Sequence, residues 1–195
     1  MAESFVSRKD RIIVSAIEII SDSGLEALTA KNLAAKENIS EELLYRYFGG
    51  INEIVSEVVD YYSQFDNGIR KTVLSKDISN IDKLKEYLDA YATYYDNYSA
   101  ISSIMLHYEE LLHRADTREK ISWCIIERRN FLIGLFENAI NENEIKDVFK
   151  PDELAEMVTG IGMMYLLNRR IVYHKKSFKQ EYIGTINKFV DLIKC

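Results

Sequence analysis

The stretch that decides the fold is residues 24–48, GLEALTAKNLAAKENISEELLYRYF. Gly24 ends the helix before it, because glycine accepts the left-handed conformation that commonly follows a helix. Thr29 and Ser40 each stand where an N-cap is needed, and a short amphipathic segment follows each of them. The turn at residues 37–39 relies on Asn38, since asparagine tolerates positive φ. The stretch therefore predicts two short helices joined by a tight turn.

A longer helix precedes this stretch and a break follows it. Ile13, Ala16, Ile17 and Ile20 recur at helical spacing, which predicts an amphipathic helix from about residue 7 to 22. The third helix runs over residues 41–47, and two glycines at 49 and 50 interrupt the chain. Three short helices with this turn are the helix-turn-helix layout, whose last helix enters the DNA major groove. The pattern alone leaves open a small helical bundle of another role.

The local residues resemble a known family. The run from Gly24 to Ala34, then Ile39-Ser40, then LYRYF at residues 44–48 is similar to the signature of the TetR family of bacterial regulators. The resemblance implies an all-helical, dimeric transcription regulator of about this length. Its first fifty residues would form the helix-turn-helix DNA-binding domain. Residues 51–195 would form a helical ligand-binding and dimerisation domain.

The resemblance also assigns roles to residues. Thr29 would bond a phosphate from the start of the second helix, and Tyr45 and Tyr47 would press their hydroxyls against the DNA backbone. The full predicted DNA-binding set is Thr29, Lys31, Ser40, Glu42, Leu43, Tyr45, Arg46 and Tyr47. The residues expected to pack inward are Leu33, Ala34, Ile39, Leu44 and Phe48. Taken singly, the same hydroxyls could be plain helix caps and the same tyrosines plain packing residues.

Several positions depart from the family pattern. Ile51 replaces a lysine that reaches phosphate, Glu37 and Asn38 replace the usual Ala-Gly turn, and Glu41-Glu42 open the recognition helix. The whole chain has a net charge of −6, whereas DNA binding depends on cations that neutralise phosphates. These departures predict weaker non-specific DNA binding. They keep open an alternative: a degenerate member without DNA binding, acting as a small-molecule- or protein-binding helical module.

The remaining chain is predicted to be helical throughout. One proline, eight glycines and 47% hydrophobic residues favour long helices around a core, so the fold class is all-α. The apolar periodicity predicts helices at 51–66, 81–98, 101–114, 117–142, 152–174 and 178–194.

Tyrosines dominate one of these helices. Tyr87, Tyr91, Tyr94, Tyr95 and Tyr98 share one face, which suits a mostly apolar pocket that also offers hydroxyls. We expect an aromatic or amphipathic effector there, and the equal alternative is a tyrosine-rich core. The predicted effector-binding residues are Tyr91, Tyr94, Tyr95, Tyr98, Met105, Tyr108, Trp123 and Met163.

The last two helices each carry an apolar side. In the family that the chain resembles, the final helices pair with their copies in a dimer. The residues predicted for that interface are Val158, Ile161, Tyr165, Tyr182, Ile186 and Phe189. In a monomer the same residues would simply form core.

The residues do not indicate a catalytic site, a metal site or a membrane-spanning segment. No nucleophile–base set or phosphate loop is present, so an enzyme or a ligand carrier is the weaker interpretation. His107, Glu110 and His113 spread too widely around a helix for one ion, and Cys124 and Cys195 fit no metal spacing or disulfide framework. We therefore expect a cytoplasmic repressor with neither metal nor cofactor, whose partners are operator DNA, a small molecule and a second copy.

Overall fold

The computed structural model describes residues 7–171 and 177–195, and the regular secondary structure of this part is helical, apart from one isolated bridge between Ile145 and Lys194. The all-α prediction is confirmed. The helices are α1 (Arg8–Ser23), α2 (Ala30–Glu37), α3 (Glu41–Tyr47), α4 (Ile51–Ser63), α5 (Asp66–Leu74), α6 (Asn80–Asn97), α7 (Ser99–Leu106), α8 (Tyr108–Leu112), α9 (Arg118–Asn141), α10 (Pro151–Ile171) and α11 (Phe178–Ile193).

The chain divides into two compact units. The first comprises the residues up to Gln64 together with Ala100–Trp123, and the second comprises Phe65–Ser99 with Cys124–Cys195. The domain boundary predicted near residue 50 stays a prediction, because compactness does not test which segment folds independently.

The first unit has a core built from α1 to α4. Ile13, Ile17 and Ile20 of α1 are buried, and so are Leu33 and Leu44 of the two following helices. These buried residues recur at helical spacing, so each helix presents one apolar stripe to the core.

Local chemistry in the first unit matches the sequence prediction. Gly24 has φ 86°, and Asn38 has φ 52° and ψ 48°, so both adopt the conformations that their turns require.

Two side-chain contacts join α4 to a later segment of the same unit. The Arg114 guanidinium donates to the Asn52 side chain at 2.8 Å, and the Tyr62 and Tyr108 hydroxyls lie 2.5 Å apart. These bonds tie α4 to the segment around α8.

The second unit consists mainly of α5, α6, α10, α11 and most of α9. The Glu144 carboxylate accepts hydrogen bonds from the Asn80 and Ile81 amides, both at 2.8 Å, and thereby caps α6. The Tyr182 hydroxyl donates to the Val158 carbonyl oxygen at 3.0 Å, which joins α10 to α11.

The helix prediction differs from the structure at two places. The sequence prediction missed α5, since the chain breaks at Gln64–Phe65 and then continues helically from Asp66. The single helix predicted for 101–114 is two helices, α7 and α8, because His107 has the non-helical angles φ −107° and ψ 12°. The predicted end of the penultimate helix at 174 lies outside the described residues.

None of the helices over residues 7–171 and 177–195 combines the length and the apolar character that crossing a membrane requires.

Candidate DNA-binding surface and effector site

The predicted DNA-binding residues lie on the accessible side of α2 and α3. Leu43 is half-buried, and the other seven are exposed: Thr29, Lys31, Ser40, Glu42, Tyr45, Arg46 and Tyr47. Although tyrosine is large, Tyr45 is 52% exposed and Tyr47 is 39% exposed. Phe48 of the same segment is buried, as predicted. The recognition helix thus keeps its polar face accessible while its apolar residues hold it to the core.

The two hydroxyls at the helix starts are N-caps. The Thr29 hydroxyl accepts a hydrogen bond from the Asn32 amide, and the Ser40 hydroxyl accepts one from the Leu43 amide, each at 3.1 Å. A hydroxyl that accepts one bond still has its own hydrogen to donate. Capping therefore leaves each of them able to donate to a phosphate oxygen.

The basic residues of this surface differ in whether they are already paired. Lys36 pairs with Glu18 at 3.0 Å. Lys31 and Arg46 form no ion pair with any residue among 7–171 and 177–195. Their charges are consequently available to the phosphate backbone, which partly offsets the acidic first turn of α3.

The tyrosines of α6 form an aromatic cluster within the second unit. The Tyr87 and Tyr91 ring centroids are 5.0 Å apart, and Tyr95 lies 6.1 Å from Tyr91. Phe131 of α9 packs on Tyr87 at 4.6 Å. Tyr87, Tyr91 and Tyr95 are buried, whereas Tyr94 and Tyr98 are half-buried. Four of the five predicted tyrosines therefore lie on α6, whereas Tyr98 follows its last residue with the non-helical angles φ −133° and ψ 77°.

An ion pair lies beneath this cluster. The Arg128 Nε and Nη2 atoms donate to the two Asp66 carboxylate oxygens at 2.7 and 2.8 Å. The Arg128 Nη1 atom donates to the Tyr95 hydroxyl at 3.1 Å, and the guanidinium carbon stands 4.7 Å from the Tyr91 ring centroid. Only 13% of the Arg128 side chain and 3% of the Asp66 side chain are exposed. This bidentate, stacked geometry is one that arginine alone can form.

Burial dominates the titration of the groups around the pair. It raises the pKa values of the Tyr87 and Tyr91 hydroxyls well above the ordinary value, while the Arg128 charge opposes the change. Burial likewise raises the pKa of the Cys124 thiol to about 12. All three groups therefore stay protonated and neutral at physiological pH.

The two hydroxyls at the centre of the cluster lack hydrogen bonds. The Tyr87 and Tyr91 hydroxyl oxygens are buried and complete no hydrogen bond within the described residues. Each hydroxyl nevertheless has a polar neighbour that shifts its pKa through a side-chain contact: Tyr91 acts on Tyr87, and Asp66 acts on Tyr91.

The predicted effector residues are divided between the two units. Tyr91, Tyr94, Tyr95, Tyr98 and Met163 belong to the second unit; Met105, Tyr108 and Trp123 belong to the first. An open cleft of about 670 Å³ lies beside α5 and α6, and Phe65, Ile69, Val73 and Tyr94 contribute to its wall. Tyr94 thus reaches a cavity, whereas Tyr91 and Tyr95 are packed around Arg128.

The sequence comparison identifies the first unit. Residues 12–58 match the family described as bacterial regulatory proteins, tetR family. The match covers the helix-turn-helix segment and most of α4. The predicted regulatory role is thereby confirmed at the level of the family, and the alternative without DNA binding is not favoured. A search of curated protein sequences gives no significant match.

Solved TetR-fold structures match the chain over nearly its whole length. The ketosteroid transcriptional regulator KstR2 of Mycobacterium tuberculosis has a TM-score of 0.86 at 15% identity, covering 100% of this chain and 98% of that one. The TetR family regulator PfmR from Thermus thermophilus has a TM-score of 0.77 at 18% identity, with 95% and 97% covered. FadR from Bacillus subtilis, solved with stearoyl-CoA, has a TM-score of 0.72 at 18% identity, with 93% and 95% covered. At such identities the likeness shows the fold.

One departure from the TetR signature has a structural explanation. The Glu37 carboxylate accepts a hydrogen bond from the Ser15 hydroxyl at 2.5 Å and one from Arg11 at 3.4 Å. Glu37 therefore links the end of α2 to α1 by hydrogen bonds. The alanine that is usual at this position of the TetR signature could not form them. Ile51, which replaces the lysine usual in the signature, is the half-buried first residue of α4.

The residues predicted for the TetR-type dimer interface lie partly inside the chain. Val158, Tyr182 and Ile186 are buried in the bundle, whereas Ile161, Tyr165 and Phe189 are half-buried. Gly162 permits close packing within the chain, since a Cβ there would lie 3.2 Å from the Tyr182 ring. A different apolar stripe of α10 is exposed, formed by Met164, Leu167 and Ile171.

Sequence reasoning missed Asp66 and Arg128, although one signal for Arg128 was available. Ile121, Cys124, Leu132 and Leu135 form the buried stripe of α9, and Arg128 occupies a position within that stripe. A charge inside an apolar stripe indicates either a buried partner or a binding site. Asp66 gave no such signal, because the helix that carries it was not predicted.

Proposed function

We propose that the chain is a repressor that binds operator DNA as a homodimer and is released by a small molecule bound within its second unit. The observation that carries the proposal is the helix-turn-helix segment, which combines the TetR match with a fully accessible set of polar residues on α2 and α3. Hydroxyls and free cations on one helical face suit phosphate contacts, which fix a protein on its site.

The dimer follows from the geometry of DNA. Two recognition helices must span half-sites about 34 Å apart, one helical turn of the duplex. We place the interface on the exposed stripe of Met164, Leu167 and Ile171, together with accessible residues of α11. Exposed apolar side chains in a row suit association better than solvent contact.

We propose that the effector has a substantial apolar body. KstR2 is named for ketosteroids and the FadR structure holds stearoyl-CoA, and both share this fold. The tyrosine cluster of α6 supplies apolar ring surface of the kind such a molecule needs. Effector binding would shift the population toward a state whose recognition helices no longer fit both half-sites.

A mobility-shift titration with the DNA flanking the protein's own gene tests the operator proposal. The parent should form a discrete complex that competitor DNA of unrelated sequence does not displace. The paired variant Lys31→Gln/Arg46→Gln should bind more weakly and lower the log–log salt slope by about 0.9 for every phosphate that the protein no longer neutralises.

The matched control is Arg118→Gln/Lys120→Gln, which removes the same charge from the same unit. Both residues are exposed on α9, where Lys120 pairs with Asp60. Equal weakening by the two variants would mean that net charge alone governs binding, and it would count against the assigned surface. A parent that binds no flanking DNA would leave the degenerate, DNA-independent alternative.

A further inference from the structure

The buried tyrosine–arginine cluster of the second unit has an unusual balance of charge and hydrogen bonds. It contains the Asp66–Arg128 pair and the Tyr87, Tyr91 and Tyr95 side chains. A core built only for stability would satisfy each of these polar groups, because an unmade bond of a buried group costs about 1–3 kcal/mol. Here the pair is satisfied and two hydroxyls are not.

The charges of the cluster cancel. Arg128 is held by both oxygens of Asp66. The nearby Arg70 donates to the Asn67 side chain at 2.7 Å and faces Glu127 at 3.8 Å. An entering carboxylate would therefore meet an arginine already neutralised by Asp66, and it would lose its hydration as well. The cluster is consequently a poor site for an anion.

The two remaining hydroxyls are donors. Tyr87 is 2% exposed and Tyr91 is 8% exposed, and neither hydroxyl completes a hydrogen bond among the described residues. Burial keeps their pKa values high, so both retain the proton that they would donate. Aromatic rings surround them, with Phe131 at 4.6 Å from Tyr87. Such surroundings suit a molecule that is apolar around one neutral acceptor.

We propose that Tyr87 and Tyr91 donate hydrogen bonds to the neutral carbonyl group of an apolar effector, and that the Asp66–Arg128 pair excludes the corresponding free acid. This inference rests on the proposed function, in which the effector binds within this unit. It extends that function by naming the effector's polar group as a ketone or ester-type carbonyl. It also adds Tyr87, Asp66 and Arg128 to the residues that determine specificity.

The test compares two probes that share an acyl chain, methyl decanoate and decanoate, by calorimetric titration at neutral pH. The ester offers a neutral carbonyl, whereas the acid is ionised. The parent should bind the ester at least about tenfold more tightly than the acid, and the ester should release operator DNA. Binding of the acid as tightly as the ester, or binding of neither probe, would overturn the proposal.

Variants then locate the contact. Tyr87→Phe and Tyr91→Phe keep the rings and should each weaken ester binding about three- to tenfold, the effect of one hydrogen bond. The control Tyr182→Phe removes a buried hydroxyl that already donates to the Val158 carbonyl, so ester affinity should stay near that of the parent. Unchanged ester affinity in both test variants, each with a cooperative melting transition, would reject these hydroxyls as the donors.

The outcomes separate this inference from the proposed function. Operator binding is measured without any probe, so a parent that fails to bind DNA contradicts the repressor proposal. A parent that binds operator but prefers decanoate contradicts only the carbonyl assignment.

Discussion

Tyrosine is used in opposite ways by the two compact units. Tyr45 and Tyr47 of the first unit are among its exposed large hydrophobic side chains. Tyr87 and Tyr91 of the second unit are buried around an ion pair. The first pair offers hydroxyls to a large partner from outside, and the second offers them only to a molecule that enters the bundle. The same residue type thus serves two kinds of recognition, and its burial distinguishes them.

The largest expected effect concerns the buried side of this comparison. Arg128→Met should lower the free energy of unfolding by about 3–5 kcal/mol, because Asp66 is left as an unpaired buried charge. Urea denaturation of the purified protein measures the loss. The neighbouring Arg129→Met is the matched control. Its partner Glu156 is 2.6 Å away but the pair is exposed, so the loss should be at most about 1 kcal/mol.

The double variant Arg128→Met/Asp66→Leu sharpens this prediction. It removes both charges and should recover most of the stability that Arg128→Met loses. A double variant as unstable as the single one would mean that Arg128 contributes through packing and the Tyr95 bond rather than through charge.

A second prediction tests whether exposure on α10 means association. Met164→Arg/Leu167→Arg should raise the dimer dissociation constant at least about a hundredfold, about 2.7 kcal/mol, since a two-fold axis brings like charges together. Light scattering over a dilution series measures the constant. The control Leu74→Arg/Val148→Arg changes residues that are similarly exposed, at 58% and 60%, and should leave the dimer intact. A test variant that remains dimeric would move the interface to another surface.

The third prediction applies one substitution to both kinds of tyrosine. Tyr45→Phe or Tyr47→Phe should weaken operator binding by about 1 kcal/mol and leave the melting temperature unchanged, because the hydroxyl is exposed. Tyr182→Phe should do the reverse: it loses a buried bond to the Val158 carbonyl and about 1 kcal/mol of stability, while operator affinity holds. If Tyr45→Phe and Tyr47→Phe both bind operator like the parent, the phosphate contacts carried over from the family are wrong.

How far the sequence predicted the molecule differs between the units for a physical reason. Thr29, Asn38 and Ser40 act through bonds to residues three or four positions away, so their roles can be read from spacing alone. The pair of Asp66 and Arg128 joins residues 62 positions apart. No local pattern specifies such a partner, and the helix that carries Asp66 was itself missed. Helical spacing likewise identified the apolar faces of the last two helices. It could not distinguish whether Val158 and Ile186 pack in the chain's own core or against a second copy.

The smallest expected effect concerns Ile51, where the first unit lacks the lysine of the TetR signature. Ile51→Lys should strengthen binding to any duplex and steepen the log–log salt slope by about 0.9, the value for one added phosphate contact. The residue is half-buried at the first position of α4, so the aliphatic part of a lysine can keep the packing while its amine reaches outward. Ile51→Gln, which changes polarity without charge, should leave the slope as in the parent.

Binding measured between low and moderate salt on operator and on unrelated DNA gives both slopes. Since a phosphate contact carries no sequence information, the two DNAs should gain equally. A slope that stays unchanged in Ile51→Lys would mean that position 51 does not face the DNA. A gain confined to the operator would instead place the new amine against a base edge.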